Sequence, residues 1–482
     1  MRIGLGYCRA VGKWAAIGAV CLVLPGGARA AGPEFDLIRN AGFAPADVGF
    51  VVFDPSSNTI VTQFQADKAF IPASMIKLGT ALAALDVLGP DFRFQTAVVA
   101  NAEPGGAMRL HLVGGGDPVL VQEDLQELAR KLAVSLAGRK IARFGYDDAY
   151  LPYVQQIDPS DDGLKPYNPP VSALSVNFNR QWLRWRRDDV TRAMAVRLLP
   201  DLGDARAGIA AARSDDGRSI QSFGLAPVVY LLDPLVPSAG QRRIAVLQPA
   251  LRTAAMLRDF AARAGLDLPP PVAEAKFSPN AEAVAVHASR PLLDIATDLL
   301  EFSNNLSAEL IGLTTARKLQ PDVDSLASSA AAVRMWLDRV APDVTRNGWS
   351  TLNQSGLNSG ARVTPNAFLA LLRYAVARSY GPEQLTFPQL LHERDFMQKD
   401  ADVSLRAKSG TMFYTRGLVG ELRGASGRPL LFVLMHTDFA ARARYEADPM
   451  RYTAPVQIRA NAWLREARGL EAAILGQWAK SH

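Results

Sequence analysis

Cysteine is nearly missing. Cys8 and Cys21 are the two in 482 residues, and both lie in the first thirty. No later residue can therefore form a disulfide, act as a thiol nucleophile or offer a thiolate to a metal. Histidine is scarce too: His111, His287, His392, His436 and His482 stand far apart, with no metal-ligand spacing among them. There is no G-x-S-x-G elbow to present the serine of a Ser-His-Asp hydrolase. Gly114-Gly115-Gly116-Asp117 lacks the spacing of a phosphate loop and reads as a turn. No stretch of ~18 apolar residues follows the first thirty, so none reads as a membrane span. Long runs of one charge are missing as well; 53 basic and 47 acidic side chains are interspersed. A nucleic-acid partner is not expected from that pattern, and no cofactor or metal is implied.

What is present begins with a leader. Arg2, Arg9 and Lys13 precede the apolar run Trp14 to Leu24, Pro25-Gly26-Gly27 breaks it, and Ala28-Arg29-Ala30 offers a small-x-small cleavage site. Residues 1–30 read as a signal peptide for export to the periplasm. An uncleaved anchor is the alternative, but the run is short for a span. A lipoprotein signal would need a small residue before Cys21, where Val20 stands. Cleavage removes both cysteines and four cations, lowering the formal net charge from +6 to +2. About 450 residues then remain, more than one core usually holds, so two or more domains are expected.

Asp47 to Phe64 reads as a β-hairpin around Asp54-Pro55-Ser56-Ser57-Asn58. A helix from Ile71 to about Leu88 follows, stopped by Gly89-Pro90. It is apolar nearly all round, the mark of a helix buried in a core. Between Phe92 and Ala288 short strands alternate with Gly and Pro, interrupted by helices at Glu123–Leu136 and Ala245–Ala264. Val171–Trp185 reads as a strand and Asp204–Arg218 as a polar surface insertion. Then helices return: Arg290 to about Arg317, Ser325–Val340 and Thr364–Arg378. Three strand patterns, Leu405–Met412, Gly417–Leu422 and Pro429–His436, precede a helical end. This predicts an α/β body made from both ends of the chain, with a β-rich insertion. The division is 31–95 and 286–482 for the body and 96–285 for the insertion. Leu470, Ile474, Leu475 and Trp478 could rest on a membrane surface or, as expected here, pack on the body.

The buried helix carries two polar residues three apart, Ser74 and Lys77, on one face. A serine in the first turn feels the positive end of the helix dipole. A lysine can activate it only if its pKa, ~10.4 in water, is lowered by burial or a second cation. Ser74-x-x-Lys77 is the sole S-x-x-K in the chain, and Lys408-Ser409-Gly410 the sole K-[ST]-G. A glycine in that strand pattern marks close approach of another backbone; alone, the lysine reads as edge-strand solubility. S-x-N occurs four times, at Ser56–Asn58, Ser175–Asn177, Ser278–Asn280 and Ser303–Asn305. The last interrupts an amphipathic helix pattern, where such residues disfavour helix, and that favours a functional cause.

Ser-x-x-Lys, Ser-x-Asn and Lys-Ser-Gly in this order resemble the triple of penicilloyl-serine transferases. The flanks narrow the likeness. Pro72-Ala73-Ser74-Met75-Ile76-Lys77-Leu78, Gly115-Gly116-Asp117-Pro118, Tyr167-Asn168-Pro169-Pro170-Val171-Ser172-Ala173-Leu174, Ser303-Asn304-Asn305-Leu306-Ser307-Ala308-Glu309 and Ala407-Lys408-Ser409-Gly410-Thr411 resemble D-alanyl-D-alanine carboxypeptidases/endopeptidases. These are the class C low-molecular-mass penicillin-binding proteins. The resemblance implies a β-lactamase/transpeptidase-like fold, an antiparallel sheet flanked by helices, with a large β-rich inserted region. It implies hydrolysis of D-Ala-D-Ala ends or cross-links of peptidoglycan stem peptides through an acyl-enzyme, with β-lactams as covalent inhibitors. Ser74 would attack, Lys77 accept its proton and Lys408 help to keep Lys77 neutral. Ser303 would relay a proton to the leaving amine, and Asn305 would hold Lys77 and the substrate amide. Lys408, Ser409 and Thr411 would bind the terminal carboxylate beside Gly410, and the N–H groups of Ser74 and Thr411 would form the oxyanion hole.

Where the family often has Asp-Gly-Ser-Gly-Leu-Ser, this chain has Asn353-Gln354-Ser355-Gly356-Leu357-Asn358, and Ser409 stands where Thr is commoner. Two other readings fit the same scaffold: a β-lactamase or esterase, which needs a deacylating base, and a non-catalytic peptidoglycan-binding protein. Carboxypeptidase and endopeptidase action are not separated by the sequence, and it does not give the oligomeric state.

Overall fold

The computed structural model describes residues 32–103, 105–224, 227–274, 281–393 and 403–482. The leader assigned to residues 1–30 and the Ser278–Asn280 motif lie outside them.

One antiparallel sheet organises the body. Its strands run, in space, Ser404–Met412, Thr415–Arg423, Pro429–Thr437, Val48–Asp54 and Thr59–Phe64. The chain's first hairpin thus completes a sheet whose other strands lie more than 300 residues later. Every residue of Val48–Asp54 is buried, because both faces of the sheet are covered. On one face Val51, Phe53, Val419, Val433 and Met435 meet the helix Lys77–Leu88 and its neighbours. On the other, Phe50, Val52, Leu418 and Phe432 meet Leu470, Ile474, Leu475 and Trp478 of the 28-residue helix Ala454–Ser481. Those four residues therefore pack on the body, and Trp478 Nε1 donates to Glu34 Oε1 at 2.9 Å. Among the described residues no helix is long and apolar enough to cross a membrane.

The middle of the chain builds a second sheet, ordered Val272–Ala273, Ile141–Asp147, Met108–Gly114, Gln95–Ala102 and Glu282–Ala288. The helices Gln122–Ser135 and Pro249–Arg263 cover it through Leu125, Leu128, Ala254 and Leu257. Two small three-stranded sheets between Arg180 and Ala245 share a core around Leu183, Tyr230 and Ile244.

Several elements differ from the sequence expectations. The helix expected from Ile71 begins at Lys77, after a 3-10 turn over Ala73–Ile76, and the one expected from Ala245 begins at Pro249, because Ala239–Ala245 is a strand. The strand expected over Val171–Trp185 begins at Arg180. Before it, Asn177, Phe178 and Asn179 all have positive φ, which no strand permits. The polar stretch at Asp204–Arg218 holds a strand, Ala205–Ile209, which pairs with Val228–Leu232. The long helix expected from Arg290 to Arg317 is two helices, Leu292–Phe302 and Asn305–Leu319, broken where Ser303 turns left-handed at φ 58°.

His436 is buried on the terminal-helix side of the sheet, with no hydrogen-bond partner for either ring nitrogen among the described residues. Burial, with Arg416 beside it, pushes its pKa down to about 3. The unfolded chain binds a proton there near pH 6.5 and the folded chain does not, so stability is full above that pH and falls as the pH drops towards 3. Between pH 7 and pH 5 this costs roughly 2 kcal/mol. Thermal unfolding across that interval should show a shallower pH dependence in His436→Phe than in the wild type; coincident slopes would refute the assignment.

Candidate active site

Ser74 sits in a 3-10 turn, Ala73–Ile76, that runs straight into the helix Lys77–Leu88. Ala73, just before it, is left-handed at φ 46°. A non-glycine residue stays there only when its surroundings over-determine it. Two glycines supply that restraint. A Cβ on Gly356 would overlap the Ala73 carbonyl, and one on Gly410 would overlap the Pro72 carbonyl. Nine of the helix's twelve residues are buried, Lys77 among them, as its apolar composition predicts.

Lys77 Nζ lies 2.8 Å from Ser74 Oγ, 2.7 Å from Asn305 Oδ1 and 2.7 Å from the Ser355 carbonyl oxygen. The Asn305 amide cannot be flipped without loss, because its Nδ2 donates to the Tyr167 carbonyl at 2.9 Å. Asn305 Oδ1 and the Ser355 oxygen are thus both pure acceptors. A neutral amine has two N–H groups and one lone pair. With Lys77 neutral, the two acceptors would take its N–H groups and leave its lone pair to the Ser74 hydroxyl; with Lys77 charged, the third N–H donates to Ser74 Oγ. Burial, then the charge of Lys408, holds the Lys77 pKa well below the ordinary lysine value, against an opposing pull from Glu309.

Lys408 is also fully buried, and its Nζ donates to Ser303 Oγ at 2.8 Å and to the Ser409 carbonyl at 3.1 Å. The left-handed turn at Ser303 aims that hydroxyl away from the helix it ends, and the Asn304 side chain caps the next helix by accepting from Ser307 N at 3.1 Å. The polar cluster that disfavours a continuous helix is therefore a helix end and a helix start, set back to back.

Thr411 stands opposite Arg416 on the neighbouring strand. Arg416 Nη1 donates to Thr411 Oγ1 at 2.7 Å, while Nε and Nη2 make a bidentate pair with Glu471 of the terminal helix, each at 2.8 Å. A hydroxyl that accepts from a guanidinium must give its own proton elsewhere, so Thr411 is preset as a donor.

A cleft of about 340 Å³ opens over these groups, lined by Ser74, Ser303, Asn305, Thr411, Tyr167 and Leu357 among others. Lys77 and Lys408 lie buried beneath it. Gly410 serves as backbone clearance and does not line it; neither does the Ser409 side chain. Larger hollows, up to about 680 Å³, lie elsewhere; one of about 570 Å³ backs onto Ser303, Asn305 and Tyr167 from the side of Phe302 and Arg290, but Ser74 lines only the 340 Å³ cleft. Of the competing S-x-N motifs, Ser56–Asn58 is the hairpin turn, its Ser56 N donating to Asp54 Oδ1 at 2.8 Å. Ser175–Asn177 lies in the loop that ends in positive-φ residues. Among the described residues no group of three or more His, Cys, Asp or Glu side chains could hold a metal ion.

The departures at 353–359 leave that loop well tied. Asn353 Oδ1 accepts from Gly356 N at 2.9 Å, a turn bond that an aspartate would also make. The Gln354 side chain fills the space over Gly312 and joins Thr80 at 3.0 Å to Ser329 at 2.9 Å. Sequence reasoning did not find Ser355, Arg416 or Glu471. Ser355 acts through its carbonyl, for which no residue type is a signal, and the other two are an ordinary Arg and Glu until the fold pairs them.

A model of the D-Ala-D-Ala carboxypeptidase 3 (S13) family matches residues 39–454. A D-alanyl-D-alanine carboxypeptidase of Actinomadura sp. (strain R39) is 27% identical over 429 residues, covering 81% of this chain and 78% of that one. Carboxypeptidase Rv3627c of Mycobacterium tuberculosis is 28% identical over 401 residues, covering 80% and 75%. Among solved structures, penicillin binding protein 4 (dacB) of Haemophilus influenzae superposes with a TM-score of 0.69 at 18% identity, over 85% of this chain and 94% of that one. The same protein complexed with a β-lactam gives 0.68 over 93% and 99%, again at 18%.

Proposed function

This chain belongs to the D-Ala-D-Ala carboxypeptidase 3 (S13) family and is a serine-type DD-peptidase of peptidoglycan, and from that premise we propose which residues carry the reaction. Ser74 Oγ attacks the carbonyl between two D-alanines, and its proton passes to Lys77 Nζ as the O–C bond forms. Ser303, held by a hydrogen bond from Lys408, passes its proton to the leaving amine as the C–N bond breaks and takes up the proton that Lys77 received, which leaves Lys77 neutral again. Thr411 holds the terminal carboxylate from the cleft wall and Lys408 attracts it from beneath, and the N–H groups of Ser74 and Thr411 hold the oxyanion, one such donor being worth about 3 kcal/mol. Water then releases the acyl group from Ser74. Penicillins, whose strained amide mimics the same carbonyl, acylate Ser74 and leave slowly.

The observation that carries this reading is the contact set of Lys77: two acceptor-only oxygens and one hydroxyl. That arrangement activates the serine and serves no packing purpose in a fully buried site. We further propose that the body is built from 31–95 and 286–482, that 96–285 is an insertion flanking the cleft, and that the protein works in the periplasm after removal of residues 1–30.

The test uses the mature protein and Ser74→Ala. The wild type should release D-Ala from a peptide ending in D-Ala-D-Ala and retain a labelled penicillin with slow turnover; the variant should do neither. Rapid penicillin hydrolysis would mark a β-lactamase instead, and a wild type that neither labels nor cleaves would leave only peptidoglycan binding.

A further inference from the structure

Beneath the cleft one ionisable side chain is given no step in the reaction. Glu309 is fully buried, one helical turn beyond Asn305 and on the same face of the helix Asn305–Leu319. Its Oε1 accepts from Ser355 N at 2.8 Å and its Oε2 from Gln354 N at 3.1 Å. The Ser355 carbonyl is one of the two acceptors that orient Lys77, at 2.7 Å. We propose that Glu309 is the positioning residue for Lys77, fixing the Ser355 carbonyl and supplying the standing negative charge that the Lys77 ammonium meets when Ser74 attacks. This rests on the assignment of Lys77 as the base.

Three arguments carry it. The first is geometric. A buried carboxylate with each oxygen bound to a backbone N–H is an acceptor on both sides and has no opening to solvent or substrate. It cannot serve as a general base for water. Its bonds fix the peptide planes on either side of Gln354 and so anchor Ser355 at its N–H, while the plane that carries the Ser355 carbonyl is held at its other end by Gly356 N donating to Asn353 Oδ1 at 2.9 Å.

The second is charge. Lys77, Lys408 and Glu309 are all fully buried. An isolated buried charge is costly, and a paired one much less so. When Lys77 takes the proton from Ser74 it becomes a buried cation within reach of the Lys408 charge, and the Glu309 carboxylate, already in place, limits that cost. The charged groups facing Lys77 are Lys408 from its strand and Glu309 from its helix; the remaining contacts, from Ser74, Asn305 and Ser355, are neutral.

The third is the direction in which each group shifts the other. Burial raises the Glu309 pKa while the Ser355 hydroxyl, the two backbone donors and Lys77 oppose that rise. Burial and Lys408 lower the Lys77 pKa while Glu309 opposes them. Removing the carboxylate therefore lowers the Lys77 pKa further. Acylation needs neutral Lys77 and is lost as pH falls through that pKa. Loss of Glu309 must move this acid limb to lower pH, even as it slows the reaction by misplacing the Ser355 carbonyl.

The experiment measures the second-order rate of Ser74 labelling by a fluorescent penicillin between pH 4 and pH 9 in the wild type, Glu309→Gln and Thr80→Val. Thr80 ties the same loop, its Oγ1 donating to the Gln354 carbonyl at 2.8 Å, without charge. Glu309→Gln should lower the plateau by about ten-fold or more and shift the acid limb down by about one pH unit. Thr80→Val should lower the plateau and leave the limb in place. An acid limb in Glu309→Gln that coincides with the wild type, or an unchanged plateau, overturns the proposal. Should Glu309→Gln fail to fold, Glu309→Gln/Lys77→Met decides by thermal unfolding, since Lys77 and Glu309 are the interacting pair. A counter-charge role requires that removing both partners restores folding, and a double variant that also fails to fold overturns it. Labelling that survives Ser74→Ala overturns the functional reading itself. It is told apart from failure here, in which labelling stays dependent on Ser74 and only the pH limb fails to move.

Discussion

Lys77→Met should slow acylation of Ser74 about a thousand-fold while leaving the protein folded. Methionine fills the buried volume of the lysine stem without bringing a charge into a dry site; the change removes the amine that lies 2.8 Å from Ser74 Oγ together with its bonds to Asn305 Oδ1 and the Ser355 carbonyl, whose loss should lower stability by about 1–3 kcal/mol without unfolding the protein. General-base assistance contributes ~10²–10⁴-fold in such reactions. The pH profile sharpens the test. In the wild type the rate should hold through neutral pH and fall only as the pH drops through the depressed Lys77 pKa, whose first cause is burial. The residual rate of Lys77→Met should show no such limb. Stopped-flow labelling with a fluorescent penicillin reads both. A variant that keeps the wild-type rate, or the same limb at reduced amplitude, would assign the base elsewhere.

Gly356→Ala is expected to be nearly as damaging from a position outside the proton path. Gly356 has φ +73°, and a Cβ there would overlap the Ala73 carbonyl one residue before the nucleophile. Backbone must move, and it is the strained backbone that aims Ser74. A displacement of ~1 Å at a reacting group can cost ~10²-fold in rate. Overpacking with an unfavourable φ should also cost about 1–3 kcal/mol of stability. Gly42→Ala is the matched control, since Gly42 has φ +78° and the Cβ that alanine adds there meets nothing within 4 Å. It should lose a little stability and no acylation rate. Equal activity losses in the two would show that backbone strain, and not the clash with the Ser74 turn, matters.

Much of the site is legible in the sequence because its chemistry needs particular side chains at particular spacings. Ser74 and Lys77 lie three residues apart where a 3-10 turn runs into a helix, and the burial of that helix is visible in its composition. Lys408 and the Ser303–Asn305 turn are far away in sequence, but each sits where its local pattern is broken: a glycine in a strand, a polar cluster in a helix. The helix break itself escaped, since Leu292–Phe302 and Asn305–Leu319 keep compatible apolar spacing on both sides of Ser303. Within the inserted region, short strands with exposed faces, such as Ala205–Ile209, carry little apolar alternation and resemble surface loops. Backbone contributions were out of reach altogether. The Ser355 carbonyl, the Tyr167 carbonyl and the left-handed Ala73 belong to the fold, and no side-chain pattern announces them.

The sheet order has a consequence for timing. The Ser74 helix is made early and the Lys408 strand some 330 residues later, yet the first strand, Val48–Asp54, finds its inner neighbour only in Pro429–Thr437. Thr411 is then fixed through Arg416 by Glu471, within the helix Ala454–Ser481. Long-range pairings of this kind form late. While the chain is being synthesised, the Ser74 turn has neither Lys408 nor Thr411 beside it, and Lys77 lacks the burial and the neighbouring cation that lower its pKa. A hydrolase of the cell wall is thereby disarmed until almost its whole length has emerged and folded.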